Sequence, residues 1–100
     1  LFVNVDKRLI KISVSDIEIV KADGDYVLII CHKASYKVHS TLSNTINKLP
    51  SDLFLRIHRS YVINFTKIID IEDNTLLINK RVVPIGRTYR KDLVKRLNLL

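Results

Sequence analysis

Residues 17–32 read IEIVKADGDYVLIICH. Two apolar runs, Ile17–Ala22 and Tyr26–His32, flank Asp23-Gly24-Asp25, where the glycine accepts a positive φ without a Cβ clash. That is the signature of a β-hairpin. In the second run, period-two alternation sets Val27, Ile29 and Cys31 on one face and Tyr26, Leu28, Ile30 and His32 on the other.

Outward from this hairpin, short β-rich units separated by turn signals continue in both directions. Phe2–Val5 and Leu9–Ser13 flank Asp6-Lys7-Arg8 as another hairpin, and Ser35–His39 follows as a strand. A helix comes next. Ser40 or Thr41 caps it, Leu42, Ile46 and Leu49 form an i, i+4, i+7 stripe, and Pro50 ends it. Leu55–His58 and Tyr61–Ile63 are short extended pieces. Ile68–Glu72 and Thr75–Ile78 form a hairpin across Asp73-Asn74, and Arg81–Ile85 adds a last strand. Gly86 breaks that strand, and Thr88–Leu97 reads as a terminal helix with Leu93, Val94 and Leu97 facing inward. The predicted architecture is one mainly β domain over residues 1–100, with one internal helix and one short C-terminal helix. A helix-turn-helix does not fit, because nothing supplies two adjacent helices joined by a tight turn.

One hundred residues suffice for a core without disulfide or metal staples. At 47% hydrophobic and 27% charged residues the balance is globular rather than disordered. No apolar run approaches the roughly 18 residues of a membrane span. A single cysteine excludes an internal disulfide framework and suits a reducing cytoplasm. The chain contains no methionine, so it is expected to be a piece of a longer protein whose missing part lies upstream.

The net charge of +7 is unevenly placed. Residues 1–33 carry five basic and five acidic groups. Residues 80–100 carry seven basic groups (Lys80, Arg81, Arg87, Arg90, Lys91, Lys95, Arg96) against Asp92 alone, a net of +6. A concentrated positive end favours a polyanionic partner, and nucleic acid fits better than membrane, because no broad apolar helix face accompanies it.

Enzyme chemistry finds little support. With only Gly24 and Gly86 there is no phosphate-cradling glycine loop and no nucleophile elbow. His32, His39 and His58 lack paired metal-ligand spacing, so no metal or cofactor is expected. Asp23 and Asp25 read as turn formers, and Cys31 as a core residue.

Polar and basic residues collect instead at three places just beyond strand ends. The first is Lys21 to Tyr26, KADGDY. The second lies inside RIHRSYVIN, residues 56–64, where His58, Arg59 and Ser60 interrupt material that favours burial. The third is Gly86-Arg87-Thr88-Tyr89-Arg90-Lys91. Arginine can bond guanine O6 and N7 bidentately, while Lys, Ser, Thr and Tyr commonly bond phosphates. At this stage Arg59 and Arg87 are candidates for base or phosphate contact, and His58 is either a contact or a strut holding its loop.

LIKISVSDIEIVKADGDYVLI, a helix ending in Leu-Pro, LFLRIHRSYVINFTKIIDI and VVPIGRTYRKDL occur in that order over nearly the whole chain. This series resembles the LytTR DNA-binding domain, the output domain of bacterial LytR/AgrA-type response regulators in two-component systems. The resemblance implies an elongated β domain of roughly three small antiparallel sheets that inserts loops into successive grooves of double-stranded DNA. It implies base contacts at Tyr26, Arg59 and Arg87, with backbone contacts from Lys21, Asp25, His58, Ser60, Thr88, Tyr89, Arg90 and Lys91. Some members carry histidine at the Tyr26 position and asparagine at the Arg59 position. The implied partners are duplex DNA with tandem direct repeats, a second copy of the chain on that DNA, and an upstream receiver domain. A β-rich RNA- or single-strand-binding module is the alternative, and it would stack bases on paired aromatics. Here four tyrosines and three phenylalanines are scattered.

Overall fold

The computed structural model describes residues 1–100. Strands β1 (Phe2–Val5) and β2 (Arg8–Lys11) form an N-terminal hairpin. A central sheet contains β3 (Ile17–Asp23), β4 (Tyr26–Cys31), β5 (Ser35–Val38), β6 (Phe54–His58) and β7 (Tyr61–Asn64), in the order β5-β4-β3-β7-β6. Strands β8 (Ile68–Glu72), β9 (Thr75–Ile78) and β10 (Arg81–Pro84) make a C-terminal meander in the order β10-β9-β8. Helix α1 (Leu42–Asn47) joins β5 to β6, and α2 (Arg90–Lys95) follows a 3-10 turn at Arg87–Tyr89. All pairings are antiparallel. The body measures 46 × 23 × 23 Å. The elongated three-sheet arrangement with two helices is therefore the observed one.

The central sheet is buried on both faces. One face packs Val20, Val27, Ile29, Phe54 and Val62 against Val3, Ile12, Leu42 and Leu49. The other packs Ile19, Ile30, Ile57 and Ile63 against Leu76, Ile78 and Val83 of the meander and Leu93 of α2. Full burial of such a side chain stabilises the fold by about 1.5–3 kcal/mol. Strict alternation would put Ile17 and Ile19 on the same face. A register shift between them reverses the parity, so Ile17 joins the first core and Ile19 the second. The residue at the shift, Glu18, is buried, with its carboxylate 3.5 Å from His32 Nδ1.

The predicted alternation in β4 holds, with Val27 and Ile29 in one core and Leu28 and Ile30 packed into the other. Of the two candidate caps of α1, Thr41 is the one used, and its side chain accepts from Asn44 N–H at 3.0 Å. The helix ends before Pro50 because its last turn tightens, with Lys48 and Leu49 donating to Thr45 and Ile46 three residues back.

Three expectations need correction at the C-terminus. The terminal helix begins at Arg90 rather than Thr88, after the 3-10 turn, and ends at Lys95. Its shortness leaves room for one inward residue. Leu93 is fully buried, whereas Val94, about 100° further round, is 39% exposed, and half-buried Leu97 lies beyond the helix end. Gly86 does not serve a sharp turn, since its φ of −70° is open to any residue. It is required by close packing, because a Cβ there would lie 2.9 Å from Tyr89 Cδ2 and 3.4 Å from His58 Cα. Gly24 does what was expected of it, at φ +61°.

Candidate nucleic-acid interface

The topology brings all three polar segments to one end of the central sheet. Strand β3 runs antiparallel to both β4 and β7, so the Asp23–Tyr26 turn lies beside the turn that joins β6 to β7. Ala22 N–H donates to Ser60 O at 2.9 Å across that gap. Beyond β6, Gly86 N–H donates to Ile57 O at 2.7 Å, which fixes the start of the third segment against the second.

In the first segment Asp23 faces Tyr26 in register, with Gly24 and Asp25 as the two-residue loop. Tyr26 is 41% exposed, yet its ring is engaged. His39 meets it edge-on at 5.2 Å, and Lys37 Nζ lies 5.1 Å from its centroid while also 3.6 Å from Asp23 Oδ2. Lys21 reaches over the Tyr61 ring at 5.8 Å.

The second segment is braced from beneath. Arg56 Nε donates to His58 O at 3.3 Å, and its Nη2 donates to Arg59 O. Ser60 N–H donates to His58 Nδ1 at 3.0 Å, so the neutral imidazole carries its proton on Nε2. The His58 ring meets Tyr61 edge-on at 5.6 Å. His58 thus serves as a strut, with its Nδ1 committed to the loop. Between these fixed groups the Arg59 side chain is exposed and makes no hydrogen bond or ion pair. A groove of about 440 Å³ lies between this arginine, Arg56, the Gly24–Tyr26 turn and the residues leading into α1.

In the third segment Arg87 and Thr88 are exposed on the 3-10 turn, and Tyr89 folds back onto Gly86. Arg87 and Lys91 have no partner within the chain, whereas Arg90 Nη1 donates to Asp73 O on the β8–β9 turn. Arg96, also in the basic tail, is taken up structurally: it stacks on Phe65 at 5.3 Å and donates to Asp52 O at 2.9 Å. The +6 segment therefore does not present all its charge to a ligand.

Arg56 is the bracing residue to which the sequence reading assigned no role. Its partners are carbonyls two and three residues ahead, at the place where the β6–β7 register shifts between Arg56 and His58. The strand pattern carries no signal for that shift. Elsewhere, Cys31 lies partly buried, and burial first, then the nearby Asp16 and Glu18 charges, push its thiol pKa up. No group of three or more His, Cys, Asp or Glu side chains is arranged to hold a metal ion, and no helix is long and apolar enough to cross a membrane.

Against known proteins, residues 7–98 match the family model described as the LytTr DNA-binding domain. The chain is 34% identical to the sensory transduction protein LytT of Enterococcus faecalis over 94% of its own length and 41% of that protein's. It is 30% identical to LytT of Bacillus subtilis over 99% and 44%, and 28% identical to the transcriptional regulatory protein YpdB of Escherichia coli K12 over 94% and 41%. The chain thus spans less than half the length of these relatives. A solved LytTr DNA-binding domain from Bacillus cereus superposes with a TM-score of 0.83 at 22% identity, covering 99% of this chain and 96% of that one.

Proposed function

Because the chain belongs to the LytTr DNA-binding domain family, we propose that the three-segment end of its central sheet reads double-stranded DNA sequence-specifically, as the cytoplasmic output domain of a bacterial response regulator. The observation that carries this reading is the contrast between Arg59 and Arg87, both exposed and unpaired, and the rigid backbone each stands on. A guanidinium on a fixed base loses less entropy on docking, which bidentate base recognition requires.

In this reading Arg59 and Arg87 contact base edges, and Tyr26 adds a hydroxyl from the first turn. Lys21, Ser60, Thr88, Tyr89 and Lys91 contact phosphates, and Arg90 joins them by exchanging its Asp73 carbonyl for a phosphate oxygen. Asp25 approaches the DNA backbone through its main-chain N–H, since its carboxylate is repelled there. His58 holds the loop. One domain touching DNA through short loops binds modestly, so a second copy on a tandem direct repeat strengthens occupancy. A receiver domain elsewhere in the full-length protein supplies the signal. The single-strand alternative is not favoured, because the exposed Tyr26 ring is held edge-on by His39 rather than free as a stacking platform.

The test is a mobility shift with duplex and single strand of the same sequence across a salt series. Duplex preference is expected, with log K falling against log[salt] at a slope near −0.9 per phosphate neutralised. Equal or tighter binding to the single strand, or no dependence on salt, overturns the reading.

A further inference from the structure

The N-terminal hairpin turns at Asp6-Lys7, with Val5 and Arg8 as its closing pair. Both central residues have positive φ, 49° at Asp6 and 66° at Lys7, the combination a type I′ turn requires. The non-glycine residues with positive φ are Asp6, Lys7, Asp73 and Asn79. Asp and Asn tolerate that region, because their short polar side chains bond locally. Lys7 is the exception, and it stands where this turn favours glycine. Lysine gains the turn nothing over glycine there, so the strain it carries points to a use for the side chain itself. The turn also lies close to the three-segment end. Strand β1 packs beside β5, and Asp6 shares a cleft with Tyr26, Lys37, Val38 and His39. In the central sheet β5 is one edge and β6 the other, and the Arg87 segment is fixed against β6. The hairpin turn therefore stands past the Tyr26 turn, at the opposite end of the row from Arg87. Lys7 and Arg8 are exposed and in no ion pair or cation–π contact, and against Asp6 they leave the tip at a net +1.

We infer that this turn is a fourth DNA-contacting segment, in which Lys7 binds a backbone phosphate on the flank of the site away from Arg87. The inference rests on the DNA-binding reading above and extends its footprint. An ammonium is a compact charge on a flexible stem, so it bonds a phosphate without needing a fixed orientation. Arg8 shares the face of its partner Val5, which packs against the core, and this leaves Lys7 at the apex as the contact. A phosphate contact holds the domain on the duplex and carries no sequence information. Lys7 therefore differs in kind from Arg59 and Arg87: it adds affinity on any duplex that extends beneath the hairpin.

The experiment compares wild type with Lys7→Gly, by urea midpoint and by binding to specific and scrambled duplexes across a salt series. Glycine removes the charge and relieves the positive φ, so the urea midpoint should stay level or rise. Affinity should nevertheless fall about fivefold near 0.15 M salt, the effect of one phosphate, and the slope of log K against log[salt] should flatten by about 0.9. The loss should be the same on specific and scrambled duplexes. Shortening the specific duplex from one end should bring wild type down to the variant, whereas shortening it from the other end should leave them apart. Unchanged affinity and slope in Lys7→Gly overturns the inference, as does a lowered urea midpoint or a difference that survives shortening from both ends. If Arg87→Ala loses specific affinity while Lys7→Gly loses none, only this inference fails and the DNA-binding reading stands. Absence of duplex binding by wild type defeats both.

Discussion

The turn between β3 and β4 and the turn between β6 and β7 lie side by side, joined by one backbone hydrogen bond from Ala22 to Ser60. They spend their polar groups differently. In the first, Asp23, Lys37, Tyr26 and His39 are engaged with one another, although Tyr26 stays 41% exposed. In the second, Arg56 and His58 are committed to the loop's own backbone so that Arg59 can stay uncommitted. A candidate for binding is set apart here less by its own type than by whether its neighbours have taken up its structural duties. Arg56 and Arg59 are the same residue type three positions apart, one bonded to the loop and the other exposed and unpaired.

The largest effect is expected where the third segment meets the second. Gly86→Ala drives a Cβ to 2.9 Å from the Tyr89 ring and must displace that ring or the strand beside it. Overpacking of this kind costs about 1–3 kcal/mol. Gly24→Ala meets nothing within 4 Å and carries only the strain of a positive φ, about 1–2 kcal/mol. Urea midpoints of the two variants compare them. Gly86→Ala should also reduce specific DNA affinity, because the backbone before Arg87 moves. Full affinity in a destabilised Gly86→Ala would separate the packing from the reading.

Next is Arg56→Gln, which removes the brace and leaves Arg59 in place. Specific affinity should fall about tenfold as the loop loses its preset geometry, while stability falls by about 1 kcal/mol, the low end for a half-exposed charged donor. If affinity on random duplex falls equally, Arg56 touches phosphate and the contrast with Arg59 dissolves. Tyr26→Phe should matter less, by about threefold at most, because the ring is retained and only the hydroxyl goes. A larger loss would raise the first turn to the rank of the second.

Much of this was legible in the chain. The Ile17–His32 hairpin, the β-rich order and the three polar segments followed from alternation, turn residues and charge. The reversal of parity at Glu18 was not, because Ile-Glu-Ile-Val suits a plain strand and only burial on both faces requires the shift. Gly86 was noticed for the wrong physical reason, since a sequence can show a missing Cβ but not the Tyr89 ring that needs its space. Likewise seven basic residues in the tail were countable, while the commitment of Arg90 and Arg96 to carbonyls of distant turns was a matter of tertiary structure.

The smallest effect concerns Cys31, which takes no part in the three segments. Its thiol titrates above the ordinary value, so the folded state holds the proton more tightly than the unfolded chain does. The associated stability is present below the unfolded thiol's pKa and is lost as pH rises through the higher folded value. Thiol labelling near pH 8 should be slow in the native protein and rapid in urea, with DNA affinity unchanged after Cys31→Ser. Fast native labelling would contradict the assigned burial.

The proposed base reading by Arg59 and Arg87 rests on fixed backbones and free side chains. It is tested most directly by titrating wild type, Arg87→Ala, Arg87→Lys and Arg59→Ala against specific and scrambled duplexes at one salt concentration. Each alanine variant should lose about 1–3 kcal/mol on the specific duplex, roughly tenfold to over a hundredfold, and little on the scrambled one. Arg87→Lys should lose most of that discrimination despite keeping the charge, because an ammonium cannot make the planar two-point contact. Arg59→Ala and Arg87→Ala should relax preference at different base pairs. Equal losses on both duplexes, or full recovery with lysine, would reduce these arginines to phosphate contacts and contradict the account.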